Sequence, residues 1–381
     1  MTRRLGKWVA AVIGVIFALA VAMTAFAPQL PVLLKEGFPS PVWPPNGPTL
    51  LVRGVDDLAP AGSSKLPESA LARFTASGGR SLIVAGPEGI TREHYAPGLD
   101  RDTRLNSYSL VKSLVGALTL RALSDGHINS LEDSLQTYLG PAAPDVPLQA
   151  VLTMTAGLAL PGEPPKTEVQ KPLDDRGFSP FGPVGRLHAL GIEAIVPRFL
   201  VDDGLAGAFH YQSANTALLG LVLEAVHNRP LPDILSEQIW QPAGAQDAYW
   251  RANPTTGRAS AYCCLYARPV DWARVGLFLL GNGSGDQPFL PVELWQSLVA
   301  PDFDAAALRK GVYGLHMRHD VLDRDGAPLQ GPFTYLMGHG GQVVYLLPEQ
   351  GQVVVRFGAE PQLLHSTLYE LFATKAEDVR R

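Results

Sequence analysis

The sequence has only two cysteines, and they are neighbours, Cys263 and Cys264. Adjacent cysteines reach ordinary disulfide geometry only with strain, so we expect no structural disulfide. Two thiols side by side also fail every common spacing of zinc ligands, so the pair indicates no metal site. We therefore interpret Cys263 and Cys264 as two small apolar residues of a packed strand or turn.

The sequence also has little charge, because charged residues make up 18% of its 381 residues and the formal net charge is -5. A protein that binds nucleic acid usually presents a basic face, and this balance argues against one. No long run of like charge and no repeat period is present. With 46% hydrophobic residues, the chain can bury one large core or two closely packed subdomains. We predict a globular protein without a nucleic-acid partner.

The signatures of several common enzyme classes are missing. There is no G-x-S-x-G elbow, no Walker loop and no G-x-G-x-x-G fingerprint. This argues against α/β-hydrolase, nucleotide-binding and Rossmann folds. His316 and His319 are separated by two residues, but no H-E-x-x-H motif accompanies them, so we expect no metal site. We likewise expect no cofactor.

A basic N-terminus precedes one long apolar run. Arg3, Arg4 and Lys7 come before residues 8–27, which are uncharged and about long enough to cross a bilayer. A cleaved signal peptide would end at the small residues before Pro28, but the run is longer than such signals usually are. We therefore favour an uncleaved anchor over residues 1–27, with a cleaved signal as the alternative. The basic residues then place the rest of the chain outside the cytoplasm, in a periplasmic or extracellular space.

The remaining chain divides into a short linker and a folded domain. Residues 28–70 are rich in proline, glycine and serine, which is typical of a linker with short extended pieces. We expect residues 71–381 to form the folded domain.

Hydrophobic periodicity predicts strands near both ends of that domain and helices between them. The predicted strands are 81–85, 90–95, 342–347 and 352–357, and the predicted helices are 110–123, 216–226, 270–280 and 362–375. This order indicates an α+β fold, in which the N- and C-terminal segments form one antiparallel sheet flanked by helices. A mainly helical subdomain would be inserted between them, with a ligand cleft beside the sheet.

The spacing of Ser109 and Lys112 gives the first chemical signal. An apolar helical run follows Ser109, so Lys112 lies one turn on and faces the same side. A serine hydroxyl is a weak nucleophile that needs a nearby base. Apolar surroundings and the positive helix end would lower the pKa of the Lys112 amine and let it take a proton. The Ser109 backbone N–H at the helix start can donate to an oxyanion.

A second motif, Tyr211-Gln212-Ser213, precedes a predicted helix. Ser213 is a candidate N-cap, which would put Tyr211 just outside the helix start, where it can project into a cleft. Taken alone, Tyr211 is more simply interpreted as an ordinary half-buried tyrosine.

A third motif, Gly338-His339-Gly340-Gly341-Gln342, opens a β-rich run. Glycines before a strand let the backbone approach a ligand closely. Taken alone, the motif predicts only a flexible turn, with His339 a structural or surface histidine.

Together the motifs resemble successive blocks of the β-lactamase-related serine hydrolases. The blocks are NSYSLVKSLVGALTLRAL, LTMTAGL, FHYQSANTALLGLVLE, ARPVDWARVGLFLLGNG and GHGGQVVYLLPEQGQVVVR. The branch is that of class C β-lactamases, family VIII-like esterases and 6-aminohexanoate-dimer hydrolase. Order and spacing agree over about residues 75–375, which is far more specific than any single motif. The resemblance implies a β-lactamase/transpeptidase-like fold and a serine hydrolase domain over residues 71–381.

The resemblance also implies roles for individual residues. Ser109 matches the acylated serine, Lys112 its conjugate lysine and Tyr211 the tyrosine of the Y-x-N box. Gly338 matches the glycine of the K-T-G box, and the His339 backbone N–H then becomes the second oxyanion donor. A shift of register would move that role to Gly340 or Gly341.

Two positions depart from the family pattern and bear on the substrate. Ser213 replaces the asparagine of the Y-x-N box, and Leu336 stands where the K-T-G lysine would be. Both changes remove groups that would bind a β-lactam, which favours an esterase or amidase acting on a small ester, amide or peptide. A penicillin-binding peptidase or β-lactamase is the first alternative. A catalytically inactive binding protein attached to the membrane is the second.

Overall fold

The computed structural model describes residues 8, 12–14, 25–56, 60–62, 64–159, 179–285, 287–323, 331–359 and 365–372. Most of the anchor that we predict for residues 1–27 lies outside this set. Within the described residues, no helix combines the length and the apolar character that a membrane span requires.

The strands of the described residues are short and belong to three sheets. They are β1 (Thr49–Val52), β2 (Gly79–Gly86), β3 (Gly89–Tyr95), β4 (Leu105–Asn106), β5 (Ala156–Ala159), β6 (Leu200–Ala206), β7 (Ala248–Arg251), β8 (Leu265–Ala267), β9 (Val312–Gly314), β10 (Met317–Leu322), β11 (Gly331–Gly338), β12 (Gln342–Leu347) and β13 (Gln352–Gly358).

The α-helices of the described residues lie mostly between the two strand-rich ends. They are α1 (Gln29–Glu36), α2 (Glu68–Ala76), α3 (Val111–Ser124), α4 (Leu135–Leu139), α5 (Leu148–Thr153), α6 (Pro183–Leu190), α7 (Ser213–His227), α8 (Leu231–Leu235), α9 (Pro269–Leu280), α10 (Val292–Val299), α11 (Ala305–Leu308) and α12 (Ser366–Leu371). The predicted helices at 110–123, 216–226 and 270–280 correspond to α3, α7 and α9. Part of the predicted helix 362–375 falls outside the described residues.

The main sheet joins the two ends of the domain. Its seven strands run in the order β3-β2-β13-β12-β11-β10-β9. β13 pairs antiparallel with β2, where Val354 lies opposite Val84, so the C-terminal strands complete a sheet that the N-terminal hairpin begins. This confirms the α+β class and the predicted antiparallel sheet formed by N- and C-terminal segments.

Helices cover both faces of this sheet. On one face α9 packs on β2, β12 and β13, and Gly276 permits the close approach because a Cβ there would lie 2.6 Å from Val353. On the other face a smaller apolar cluster includes Phe74 of α2 and Leu368 of α12.

The inserted helices α3 and α7 pack against each other, and nearly every α3 residue is buried. A helix that is apolar all round is expected at the centre of a fold, and α3 occupies that position.

A second sheet, in the order β1-β7-β8-β4, was not predicted. Its strands are two to four residues long, which is too short for period-two alternation to be visible in the sequence. β8 lies beside β4, directly before the turn that holds Ser109, so this sheet supports the site.

The first part of the expected linker, residues 29–52, packs onto the domain. β1 pairs with β7, and α1 packs against α6. Glu36 at the end of α1 is buried and forms an ion pair with Arg251, with N···O distances of 2.5 and 2.6 Å. Residues 29–52 are therefore a fixed part of the fold and not a tether, because their polar groups are satisfied by distant parts of the chain.

The cysteines also differ from expectation. Cys263 and Cys264 form a disulfide between neighbours. Cys264 has a left-handed backbone with φ +71°, a conformation that is uncommon for a residue other than glycine. Both residues are buried, as expected of a packed turn.

Candidate active site

Ser109 lies in a single helical turn, Tyr108–Leu110, that leads directly into α3. The turn is held in place from several sides. Asn106 Oδ1 accepts from the Tyr108 N–H at 2.8 Å, and the Cys264 N–H donates to the Tyr108 carbonyl at 3.1 Å. Ser109 remains partly exposed although its neighbours are buried. A fixed and accessible hydroxyl at a helix start is what a nucleophile requires.

Lys112 is aimed at Ser109. Its Nζ lies 2.9 Å from Ser109 Oγ and donates to the Tyr262 carbonyl at 2.6 Å. The side chain is 2% exposed. The predicted one-turn spacing therefore places the amine within hydrogen-bond reach of the hydroxyl, and the Tyr262 carbonyl holds it there.

Tyr211 lies on the other side of the Lys112 amine. The Lys112 Nζ is 5.3 Å from the centre of the Tyr211 ring, and the Arg318 guanidinium is also 5.3 Å from it. The structure thus brings Tyr211 to the pair formed by Ser109 and Lys112.

Ser213 is the first residue of α7, one position later than the N-cap predicted for it. Gln212 occupies the cap with an extended backbone, and no side chain caps the helix. The Gln212 side chain instead donates to the Leu158 carbonyl at 2.9 Å and tethers the Tyr211 segment to β5.

At the end of β11, the backbone of Gly338 packs against the turn that holds Ser109. A Cβ at this position would lie 2.3 Å from the Ser107 carbonyl oxygen and 3.2 Å from the Ser109 nitrogen. Only glycine permits this approach, which puts the His339 end of β11 beside Ser109.

The turn from β11 to β12 is braced by Gln342. Its Nε2 donates to the His339 and Gly358 carbonyls at 2.7 and 3.0 Å, and its Oε1 accepts from the Gly358 N–H at 2.8 Å. Gly340 and Gly341 have φ values of +72° and +77°, which favour glycine. The GHGGQ motif is therefore a rigid turn, and not the flexible one that its glycines alone suggest.

His316 connects the helices behind the site. Its Nε2 lies 2.9 Å from Thr216 Oγ1 of α7, its Nδ1 lies 2.8 Å from the Leu152 carbonyl of α5, and its own carbonyl accepts from Ser113 of α3. Burial lowers the pKa of His316 to about 4, so the ring is neutral at neutral pH. It has a structural role, and no cluster of metal-ligating side chains is found among the described residues.

Three functional neighbours were not predicted from the sequence. They are the Tyr262 carbonyl, the Arg318 guanidinium and the ring of Phe38. Phe38 lies in the segment that we expected to be linker, and its ring centre is 5.7 Å from that of His339. None of the three falls in a recognised motif, so only the fold could reveal them.

A partly exposed serine beside a buried lysine, at the end of an antiparallel sheet, is the arrangement expected of an active-serine hydrolase. The sequence pattern of the Beta-lactamase family matches residues 68–362. The chain belongs to the β-lactamase family.

Solved structures share the fold. A protein assigned as a 6-aminohexanoate-dimer hydrolase from Bacillus anthracis superposes with a TM-score of 0.68 at 18% identity, over 86% of this chain and 89% of that one. A D-stereospecific amidohydrolase from a Streptomyces species gives 0.60 at 16% identity, over 81% and 99% of the chains. A penicillin-binding protein from Bacillus halodurans gives 0.57 at 17% identity, over 78% and 98%.

Proposed function

We propose that this protein hydrolyses an ester or amide through an acyl-enzyme formed on Ser109. The observation that carries the proposal is the 2.9 Å contact between the Ser109 hydroxyl and the buried Lys112 amine. A hydroxyl in this position can lose its proton as it attacks a carbonyl carbon.

In the proposed reaction, Ser109 Oγ bonds to the carbonyl carbon and its proton passes to the Lys112 amine or a Tyr211 phenolate. These two groups form a coupled pair, and either can hold the proton. The carbonyl oxygen becomes an oxyanion that accepts from the backbone N–H groups of Ser109 and His339. The stored proton then goes to the leaving alcohol or amine. A water molecule attacks the acyl-enzyme, releases the carboxylic acid and restores the serine.

The substrate class rests on Leu336 and Ser213. Leu336 is buried in β11, where the K-T-G lysine of the family would stand, so no ammonium is offered to a β-lactam carboxylate at this position. Ser213 offers a short hydroxyl in place of the Y-x-N amide. These losses favour a small ester, amide or peptide over an antibiotic.

The test compares p-nitrophenyl esters, the corresponding anilides and nitrocefin as substrates of the full chain in detergent. Ser109→Ala should abolish hydrolysis and covalent labelling by a fluorophosphonate. Lys112→Ala should lower kcat/KM by at least about a thousandfold, because it removes the base. Ser297→Ala, at an exposed position on α10, is the matched control and should change nothing. Full activity and labelling in Ser109→Ala would overturn the proposal, and faster turnover of nitrocefin than of the esters would favour the β-lactamase alternative.

We further propose that residues 1–27 anchor the protein in a membrane with the hydrolase domain outside the cytoplasm. The basic residues before an uncharged run of bilayer length support this. The protein should then stay with the membrane fraction after a carbonate wash. A mature N-terminus at or after Pro28, found by mass spectrometry, would show that the segment is a cleaved signal.

A further inference from the structure

We propose that Phe38, Tyr108 and His339 form an aromatic subsite that binds a ring-bearing apolar group of the substrate. The proposal rests on the proposed function, because it names a substrate class for the same Ser109 site. It concerns side chains to which that mechanism gives no role.

The three rings are in mutual contact. The ring centres of Tyr108 and His339 are 5.2 Å apart, those of Phe38 and His339 are 5.7 Å apart, and those of Phe38 and Tyr108 are 6.3 Å apart. The Phe38 and Tyr108 rings each meet His339 close to edge-on. Edge-to-face contacts at these distances are the favoured arrangement of aromatic rings, and an added ring can extend them.

The cluster adjoins the reacting atoms on two sides. Tyr108 is the residue before Ser109. His339 follows Gly338, whose backbone lies against the Ser109 backbone nitrogen. Under the proposal, a substrate whose carbonyl carbon reaches Ser109 Oγ places one of its flanking groups near these rings.

Phe38 is exposed but firmly held. Its ring is 51% exposed, whereas the chain on both sides is fixed. The Pro39 carbonyl accepts from the Tyr108 hydroxyl at 3.2 Å, and the Ser40 carbonyl accepts from Asn106 Nδ2 at 2.8 Å. On the other side, Glu36 is paired with the buried Arg251.

An exposed apolar side chain is common and by itself carries no function. Phe38 differs because its position is fixed and its ring joins two others beside a nucleophile. Binding to a fixed ring loses little conformational entropy, so contact with a substrate contributes to affinity. The contacts of Phe38 and Tyr108 with His339 are edge-to-face contacts between rings, so the complementary group under the proposal is a further apolar ring.

The first experiment compares Phe38→Ala with Leu34→Ala in the full chain. Leu34 lies in the same segment, is 75% exposed and has no part in the ring cluster. Three esters serve as substrates. In p-nitrophenyl acetate the ring lies on the leaving group, and in methyl phenylacetate it lies on the acyl group. Methyl acetate has no ring. One ring contact contributes about 0.5–1.5 kcal/mol, which is about a two- to tenfold effect.

We expect Phe38→Ala to lower kcat/KM by that factor for one of the two ring-bearing substrates, mainly through KM, and to leave methyl acetate unchanged. The affected substrate shows on which side of the ester the ring binds. Phe38→Trp should retain the preference, and Leu34→Ala should behave as wild type. An equal loss for all three substrates, or no loss for any, would overturn the subsite.

A second readout requires no turnover. Saturation-transfer NMR with p-nitrophenyl acetate and methyl phenylacetate on Ser109→Ala should show transfer to their ring protons, and the added Phe38→Ala change should remove it for the ester affected in the first experiment. If the wild-type protein hydrolyses no ester or amide, the proposed function fails. The NMR comparison then still decides the subsite.

Discussion

At the scale of single residues, the nucleophile turn depends on a backbone conformation that its sequence does not favour. Tyr108 has φ +45°, which is unusual for a residue with a large side chain. Hydrogen bonds at its N–H, its carbonyl and its hydroxyl hold it there. Such strain persists only where the surrounding structure over-determines it, and here that structure surrounds Ser109.

Gly338 gives a prediction at this scale. In Gly338→Ala the added methyl group would press on the Ser107 carbonyl and the Ser109 nitrogen, so the turn must move. We expect kcat/KM for p-nitrophenyl acetate to fall by about a hundredfold, because displacement of about 1 Å near reacting atoms has that effect. The free energy of unfolding should fall by about 1–3 kcal/mol.

The matched control for that change is Gly314→Ala. Gly314 is also a strand glycine of the main sheet, and a Cβ there would meet nothing within 4 Å. A Gly338→Ala enzyme that kept the activity of Gly314→Ala would show that the close approach of β11 is not needed.

Whether a contact of the site could be predicted depends on how far apart its residues lie in the sequence. Ser109 and Lys112 are three residues apart, and the geometry of one helical turn suffices to bring them together. The Tyr262 carbonyl is 150 residues from Lys112, and Arg318 of β10 contacts the ring of Tyr211, which lies far from it in the sequence. Contacts of that kind depend on tertiary packing, which the local sequence pattern does not contain.

At the scale of elements, α1 and β1 show why the folded residues 29–52 were predicted as part of a linker. β1 is four residues long and lies in a proline-rich stretch, so local composition predicts an unstructured segment. Its order comes from pairing with β7, nearly two hundred residues away. Four strands of the main sheet, β2, β3, β12 and β13, were predicted because turn residues bound each run, whereas β9, β10 and β11 were not predicted.

The Glu36–Arg251 pair gives a prediction for these elements. Glu36→Ala leaves the Arg251 guanidinium, 1% exposed, without its carboxylate. Breaking a buried ion pair in this way costs about 3–5 kcal/mol of unfolding free energy. Urea denaturation of the full chain measures it.

Lys35→Ala is the control, because Lys35 is the exposed neighbour on the same helix, and its effect should stay within about 0.5 kcal/mol. The double variant Glu36→Gln with Arg251→Met should recover part of the loss, since it removes the uncompensated charge. Equal stability of Glu36→Ala and Lys35→Ala would contradict the packed role of α1.

At the scale of the whole molecule, acid should unfold the protein through its buried histidines. Burial lowers the pKa of His188, His316 and His319 to about 4, from 6.5 in the unfolded chain. Between these values the unfolded state binds more protons than the folded state, so stability is complete above pH 6.5 and falls towards pH 4. Each histidine contributes up to about 1.4 kcal/mol per pH unit in this window.

Glu36 extends the loss to lower pH. Burial alone would raise the pKa of Glu36, but the nearby His188 ring and the hydrogen-bonded Arg251 guanidinium outweigh it and lower the pKa to about 2. This contribution is present above pH 4.5 and is lost as the pH falls from there to 2. The urea midpoint should therefore decrease from about pH 6.5 to pH 4, and less steeply in His188→Gln. A constant midpoint over that range would contradict the assignment.

If residues 1–27 anchor the protein as proposed, the fixed segment that follows them limits how far the enzyme can reach from the membrane surface. Eight residues of helix α1 span about 12 Å, and the few residues on to Phe38 add less than about 10 Å. An anchor that ends at residue 27 would thus hold the catalytic opening within about 20 Å of the lipid headgroups, without a flexible arm to lengthen the distance. Molecules embedded in or lying on the bilayer would be within range, whereas a substrate held farther out by a thick polymer layer would have to diffuse inward to be cleaved.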